Sequence, residues 1–403
     1  MEEDKELIPF VLPEKQATII KVVGVGGGGG NAVNYMFSQG IRDVSYLICN
    51  TDQQVLFASP IPDKLQLGPE TTHGLGAGNK PEKARAAAEE SEEDLRRALG
   101  DNTKMVFITA GMGGGTGTGA APVIARIARS MGILTVGIVT IPFSWEGAVK
   151  INQAMDGVDA ISKEVDALLV INNDLLSNIY PDLTVMNGFR KADDTLCTAA
   201  KSIAEIITLT GYINLDFADV QTILKDGGVA VMSAGTASGQ NRVIDAMNNA
   251  LHSPLLNNND VYRASKILFN ISCSSSHELV LEETRQINRF MEQFEGRVKV
   301  VIWGISIDDS LGEDLKVTLL ASGFGVNEVT GVKQLRQEDT VNQAEQEETR
   351  IRRDNQIRSY YGEAGVPPRH YYNTPFVLSE EDLNNEDLIE KLSEEPANRR
   401  TRQ

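Results

Sequence analysis

Six glycines fall within nine residues of the stretch Gly111-Met-Gly-Gly-Gly-Thr-Gly-Thr-Gly-Ala120. A β-branched run, Met105-Val-Phe-Ile-Thr109, leads into it, and an alanine-rich helical pattern from Ala120 to Ala128 leads out. Strand, glycine loop and helix in that order aim several backbone N–H groups and the positive end of a helix dipole at one anion. Glycine lets the backbone approach phosphate oxygens closely and adopt positive φ. Thr116 and Thr118 add uncharged hydroxyl donors. A tight turn needs one or two glycines, so the density favours a phosphate grip over a packing turn. No Lys follows the glycines, which separates this loop from the G-x-x-x-x-G-K-[ST] nucleotide loop.

A second glycine loop, Gly24-Val-Gly-Gly-Gly-Gly-Gly-Asn31, follows the strand pattern Ala17–Val23 and precedes a helix expected from Ala32 to Gln39. Gly24, Gly26 and Gly29 stand at G-x-G-x-x-G spacing. A further strand, Val44–Ile48, ends at Asn50-Thr51-Asp52, about 20 residues on, where a dinucleotide-binding fold places its ribose acid. A dinucleotide-dependent oxidoreductase is therefore one reading, although it leaves the loop after residue 110 without a use. Asp52 also suits an ordinary turn. A third stretch, Gly74-Leu-Gly-Ala-Gly78, precedes Pro81 and a helical pattern from Glu82 to Leu99, begun by Pro and early glutamates.

The elements that must position these loops alternate between strand and helix. Leu134–Ile141 and Ala167–Ile171 read as further buried strands, so the first half is expected to be a doubly wound parallel sheet with its ligand at the carboxyl ends of the strands. From about Asn187 to Thr210 the apolar residues Phe189, Ala192, Leu196, Ala199, Ile203 and Ile206 recur at helical spacing. Beyond it, Asp216 is suited to cap a helix running through Val220 to Leu224. Residues from about 225 to 326 read as an α+β layer: helices at Asn241–His252 and Glu278–Phe294, strands at Lys266–Ile271, Val298–Ile307 and Leu315–Ser322. His252 and His277 are lone and read as structural or surface residues. After about Gly331, Gln, Glu and Arg dominate, periodicity fades apart from a helix pattern at Asp387–Leu392, and a disordered linker is expected.

With 403 residues, 41% of them apolar, the chain can bury a sizeable core and hold two domains. A net charge of −18 argues against nucleic acid as a partner. Cys49, Cys197 and Cys273 are far apart and in no metal spacing, so they read as reduced thiols of a cytoplasmic protein with no metal centre. The first residues lack a basic and an apolar region, and no run of about 18 apolar residues occurs, so no membrane insertion is expected.

Gly113 to Ala120, read GGGTGTGA, matches letter for letter the signature of the FtsZ/tubulin family of GTPases, and the resemblance extends over roughly residues 17–326. It implies GTP or GDP as the ligand, with Mg²⁺ beside the phosphates. Gly26, Gly27, Gly28, Gly29, Gly30 and Asn31 would grip phosphates, with Asn50 and Asp52 beside them. Gly113, Gly114, Gly115, Thr116, Gly117, Thr118 and Gly119 would form the second grip. Ala77 and Gly78 would lie near the γ-phosphate, and Glu146 at the ribose. Lys150 stands where an Arg is usual, which is not an equivalent exchange at a bidentate site. Ile141 stands where a basic residue is usual. Asn172-Asn173-Asp174 resembles the family's Pro-Asn-Asp, with Asn172 in place of the proline, and Ser274-Ser-Ser276 replaces a usual Gly-Gly.

In such a family Phe189 would stack on guanine, and Asp193 would accept from guanine N1–H and the 2-amino group, a donor pair adenine lacks. Asp194 is the adjacent alternative, and a solvated helix acid the plain one. Asn214, Asp216 and Asp219 match the loop whose acids promote hydrolysis. Asp193 and Asp216 are 23 positions apart, roughly 30 Å if helical throughout. Both then act on different GTP molecules, which implies head-to-tail homopolymers with hydrolysis where subunits meet. The expected division of the chain is a flexible segment (1–16), a GTP-binding domain (17–186), a central helix (187–210), an α+β domain (211–326, with its catalytic loop at 211–220) and a tail (327–403). Near the end of that tail Pro396, Ala397 and Arg399 resemble a peptide that docks membrane-adaptor division proteins. The role implied is a cytoplasmic cytokinetic ring at mid-cell. A polymer that binds nucleotide without hydrolysing it remains a further reading.

Overall fold

The computed structural model describes residues 18–324, apart from 42, 101, 181, 210, 252–260 and 295–297, together with 353 and 355–357. In chain order the first half runs β1 (Ile20–Val25), α1 (Gly26–Ser38), β2 (Val44–Asn50), α2 (Gln53–Ala58), β3 (Lys64–Gln66), α3 (Pro69–Thr72), α4 (Pro81–Glu90) and α5 (Glu92–Leu99). It continues with β4 (Met105–Gly111), α6 (Gly115–Ser130), β5 (Leu134–Ile141), α7 (Ala148–Ser162), β6 (Ala167–Asn172), α8 (Asn173–Ile179) and α9 (Val185–Thr208). The second half holds β7 (Gly211–Ile213), α10 (Phe217–Leu224), β8 (Gly228–Ala237), α11 (Arg242–Leu251), β9 (Lys266–Cys273), α12 (Leu281–Met291), β10 (Val300–Ile307) and β11 (Leu315–Phe324).

Among the described residues these strands form one sheet, ordered β3-β2-β1-β4-β5-β6-β8-β11-β9-β10-β7. Every pairing from β3 to β8 is parallel, whereas β11 is antiparallel to both β8 and β9. The two halves therefore share a sheet. Their join is thin, since β6 and β8 pair only through Ala167 with Gly228 and Leu168 with Val229. From β1 the chain winds toward β3 and from β4 toward β6, so the order reverses between β1 and β4. A crevice opens at such a reversal, and ligands bind there.

Alternate strand residues feed two cores, as a pleat requires. Val22, Phe107 and Val136 join a cluster with α1, α9 and α10; Val23, Ile108 and Val139 join one with α4, α5, α6 and α7. A third cluster lies under α11 and α12.

Both phosphate-loop helices begin earlier than their sequence suggests, α1 at Gly26 rather than Ala32 and α6 at Gly115 rather than Ala120. Tertiary contact overrides the weak helix propensity of glycine here. A Cβ at Gly29 would stand 2.1 Å from the carbonyl oxygen of Thr109, so α1 can lie on β4 only without one. The expected helix from Glu82 to Leu99 breaks at Ser91, whose hydroxyl accepts from Gly68 N–H at 2.9 Å. Ser274 to Ser276 forms its turn with no residue at positive φ; hydroxyls and Asp309, which accepts from Ser275 N–H at 2.9 Å, hold it instead. His277 is exposed, as expected. His252, the segment 1–16, the helix pattern at 387–392 and the adaptor-like Pro396, Ala397 and Arg399 lie outside the described residues.

Candidate functional site

The N-termini of α1 and α6 meet over the β1/β4 reversal and open onto a cavity of about 400 Å³. Gly27, Gly28 and Asn31 line it from α1, and Gly111, Met112, Gly114, Gly115, Thr116 and Gly117 from the loop and start of α6. Two helix N-termini with side-chain-free backbone converge there, the arrangement that receives a chain of phosphates. Thr116 is positioned by Thr51, their hydroxyl oxygens lying 2.7 Å apart. Gly26, Gly29, Gly30, Gly113, Thr118 and Gly119 stand behind the lining. Thr118 is buried, and its hydroxyl oxygen accepts from Gly113 N–H at 2.9 Å, so it shapes the loop rather than facing the cavity.

The far end of the cavity is lined by Pro142, Glu146, Lys150, Asn173, Phe189, Ala192 and Asp193. Phe189 packs edge-on against Phe143, with ring centroids 5.3 Å apart. Two acceptors here await donors. The buried Oδ1 of Asn173 has no hydrogen-bond partner. Burial pushes the Asp193 carboxyl up to about 7, with no charged neighbour to offset it. Asp194 by contrast is engaged: it accepts from Tyr35 at 3.3 Å and pairs with Lys191 at 2.7 Å. Of the two adjacent acids only Asp193 lines the cavity.

Glu146 is held in place from two sides, accepting from Phe143 N–H at 2.9 Å and pairing with Lys150. The departures from the family pattern have local accounts. Asn172 caps α8 by accepting from Asp174 N–H at 2.9 Å, and Ile141 is fully buried in the core. Asp52 caps α2, accepting from Gln54 N–H at 2.9 Å, while Asn50 accepts from Asp52 N–H at 3.1 Å. Neither lines the cavity, and the plain turn role of Asp52 is the one observed. Ala77 and Gly78 also stand outside the lining. The loop that holds them leans on the start of α6, where a Cβ at Gly115 would come within 3.0 Å of Ala77.

Asn214, Asp216 and Asp219 are not part of the cavity. Asp216 and Asp219 form a reciprocal capping box at the start of α10, each carboxylate accepting the other's backbone N–H at 3.0 Å, and Asn214 accepts from Gly211 N–H at 3.1 Å. Asp216 is exposed. The helix expected to run on toward Asp216 is shorter: α9 ends at Thr208 and the chain then turns into β7. The helical part beyond Asp193 contributes about 22 Å. Thr140 and Pro142 line the cavity without standing in any of the sequence motifs, and Ala192, expected only as part of the apolar helix stripe, lines it too. Thr140 and Pro142 were findable, since they end and follow a strand on the carboxyl side where the fold puts its ligand.

Comparison with known proteins bears on the family and the fold. The model of the Tubulin/FtsZ family GTPase domain matches residues 19–181, and that of the FtsZ family C-terminal domain matches residues 228–325. The chain is similar to a cell division protein FtsZ of Porphyromonas gingivalis, 51% identical over 95% of this chain and 85% of that one. A cell division protein FtsZ of Coxiella burnetii is 43% identical over 76% of this chain and 79% of its own length. An empty FtsZ dimer from M. jannaschii superposes with a TM-score of 0.69 at 36% identity, covering 82% of this chain and 96% of that chain.

Proposed function

The chain belongs to the FtsZ family of tubulin-like GTPases, and from that premise we propose that its cavity holds GTP with the base on α9 and the phosphates on α1 and α6, and that hydrolysis waits for a second copy. The protein is a cell-division GTPase that assembles with itself into the polymer of the cytokinetic ring. Phe189 stacks on guanine while Asp193 and Asn173 accept its donors. Glu146, steadied by Lys150, takes a ribose hydroxyl. Backbone N–H groups of Gly27, Gly28 and Gly114 to Gly117 take the phosphates, and the loop of Ala77 and Gly78 borders the γ-phosphate side.

The observation that carries the split site is placement. Asp193 lines the cavity, and Asn214, Asp216 and Asp219 do not. A neighbour arriving head to tail brings its own α10 to the open phosphate end. Its capping box engages only one oxygen of Asp216 and one of Asp219, so the other oxygen of each can act on water. These oxygens orient a water and accept its proton as it attacks the γ-phosphorus in line, and the bond to the β,γ-bridging oxygen breaks toward GDP. The amides of the glycine loops hold the charge that develops. Among the described residues no group of three or more His, Cys, Asp or Glu could hold a metal alone. A Mg²⁺ ion bound together with the nucleotide would have the Thr116 hydroxyl beside it and would neutralise phosphate charge.

Pro396, Ala397 and Arg399 are assigned to docking an adaptor that links the polymer to the membrane at mid-cell, on the cytoplasmic side. No helix among the described residues is long and apolar enough to cross a membrane. The test is GTPase rate against protein concentration. Turnover per molecule should be close to zero when dilute and rise once copies meet; a constant value across that range would exclude the shared site.

A further inference from the structure

We propose that residues 353 and 355–357 act as an intrachain clasp seated on α7. Arg353 pairs with Asp156, and Gln356 Nε2 donates to Asp159 Oδ1 at 3.0 Å. Ile357 is only 2% exposed and belongs to the same apolar cluster as Ile151, Met155, Val158 and Ile161 of α7. Residues 353 and 355–357 are helical, so 353, 356 and 357, at i, i+3 and i+4, lie on one face. A cation, an amide and an apolar side chain on one stripe thus meet two carboxylates and a hydrophobic seam. This is the pattern by which an amphipathic helix docks. Attachment through the 28 residues from 325 to 352 supplies an effective concentration on the order of millimolar. A contact too weak to survive between separate molecules is therefore closed within one.

The element it grips also reaches the nucleotide cavity. Lys150 of α7 lines that cavity, Gln153 Nε2 donates to Gly114 O at 3.2 Å, and Gly157 packs so closely on Thr118 that a Cβ there would stand 2.7 Å from its methyl carbon. Asp156, the partner of Arg353, lies between these two contacts in sequence and borders a second cavity of about 410 Å³ shared with Pro81, Arg85 and Gly119. Seated, the clasp holds α7 against α6 and so steadies the glycine loop from behind. This coupling rests on the nucleotide reading above; the seating itself does not.

The test uses the full chain and hydrogen exchange of the amides of residues 148–162 without nucleotide. Arg353→Glu and Ile357→Asp should each speed that exchange by about fivefold or more, and adding Asp156→Arg to Arg353→Glu should slow it again. Unchanged exchange in both single variants would overturn the clasp. GTP affinity of the same variants should fall by about fivefold; faster exchange with unaltered affinity would refute the coupling and leave the seating standing. Should GTP bind neither the parent nor the variants, the cavity reading fails and the exchange result still judges the clasp.

Discussion

Asp216→Ala is expected to lower GTP turnover by about 100-fold or more, the usual contribution of a positioned base, while the isolated molecule binds GTP as before. The second half of that expectation follows from Asp216 lying outside the cavity. Because Asp216 also caps α10, its loss costs about 1 kcal/mol of stability, and the alanine variant alone could owe some inactivity to a frayed helix. Asp216→Asn separates the two causes, since asparagine caps nearly as well but cannot take a proton. Equal loss in both variants assigns the effect to the carboxylate; full activity in the asparagine variant would assign it to the cap. Mixing provides a stronger check. An Asp216→Ala copy keeps a sound pocket and an Asp193→Ala copy keeps a sound catalytic loop, so an equal mixture should regain activity at about a quarter of its head-to-tail contacts. Mixtures as inactive as their components would sink the division of labour between copies.

The second large effect concerns Asp193. Removing its carboxylate should weaken GTP by about 100-fold, the value of two charge-assisted hydrogen bonds, with ATP affinity scarcely altered, so that discrimination between the purines collapses. Its titration adds a signature. Burial pushes this carboxyl up to about 7. Guanine donors favour the charged form, so binding drives the proton off. Affinity should accordingly be full above pH 7 and weaken as pH falls, by about tenfold between pH 8 and pH 6. Asp193→Asn supplies the reference slope, because phosphate ionisation contributes equally to both proteins. Stability runs the other way. The folded, empty protein disfavours the charged group relative to the unfolded chain, and this cost is fully present above pH 7 and relieved as pH drops through that value. Asp193→Asn should therefore raise the melting temperature of the nucleotide-free protein at pH 8 more than at pH 5. Parallel pH profiles for the two proteins would remove Asp193 from base recognition.

The glycine loops, the strands that feed them and the long helix were legible in the sequence because each combines a chemical motif with a strong period. What escaped was whatever tertiary contact decides. The strand β8, Gly228–Ala237, carries few bulky residues and so gave no strand signal. Its smallness is a packing requirement, since a Cβ at Gly235 would stand 2.2 Å from the carbonyl oxygen of Ala246 on α11. The strand β7 is three residues long and exists through its pairing with β10. The break at Ser91 depends on Gly68, 23 residues earlier. Within the site, residue types named the phosphate loops and the acids of α9 and α10. Only geometry distinguished Asp193 from Asp194, turned Thr118 and Asp52 toward local hydrogen bonds, and revealed the orphaned oxygen of Asn173.

The helix α9 carries the cavity-lining Phe189 and Asp193 at one end and leads to the loop of Asn214, Asp216 and Asp219 at the other, and an α-helix advances in fixed steps of about 1.5 Å and 100° per residue. Adding one residue to its middle would lengthen the subunit slightly yet swing Phe189 and Asp193 a quarter-turn or more away from their pocket, unseating the apolar stripe through Ile203 and Ile206 as well. Only changes close to whole turns, such as seven residues for two, keep both ends in phase. The length of α9 can therefore change only in steps near whole turns, about 6 Å for four residues or about 10 Å for seven, and a single inserted residue puts one end out of phase with the other.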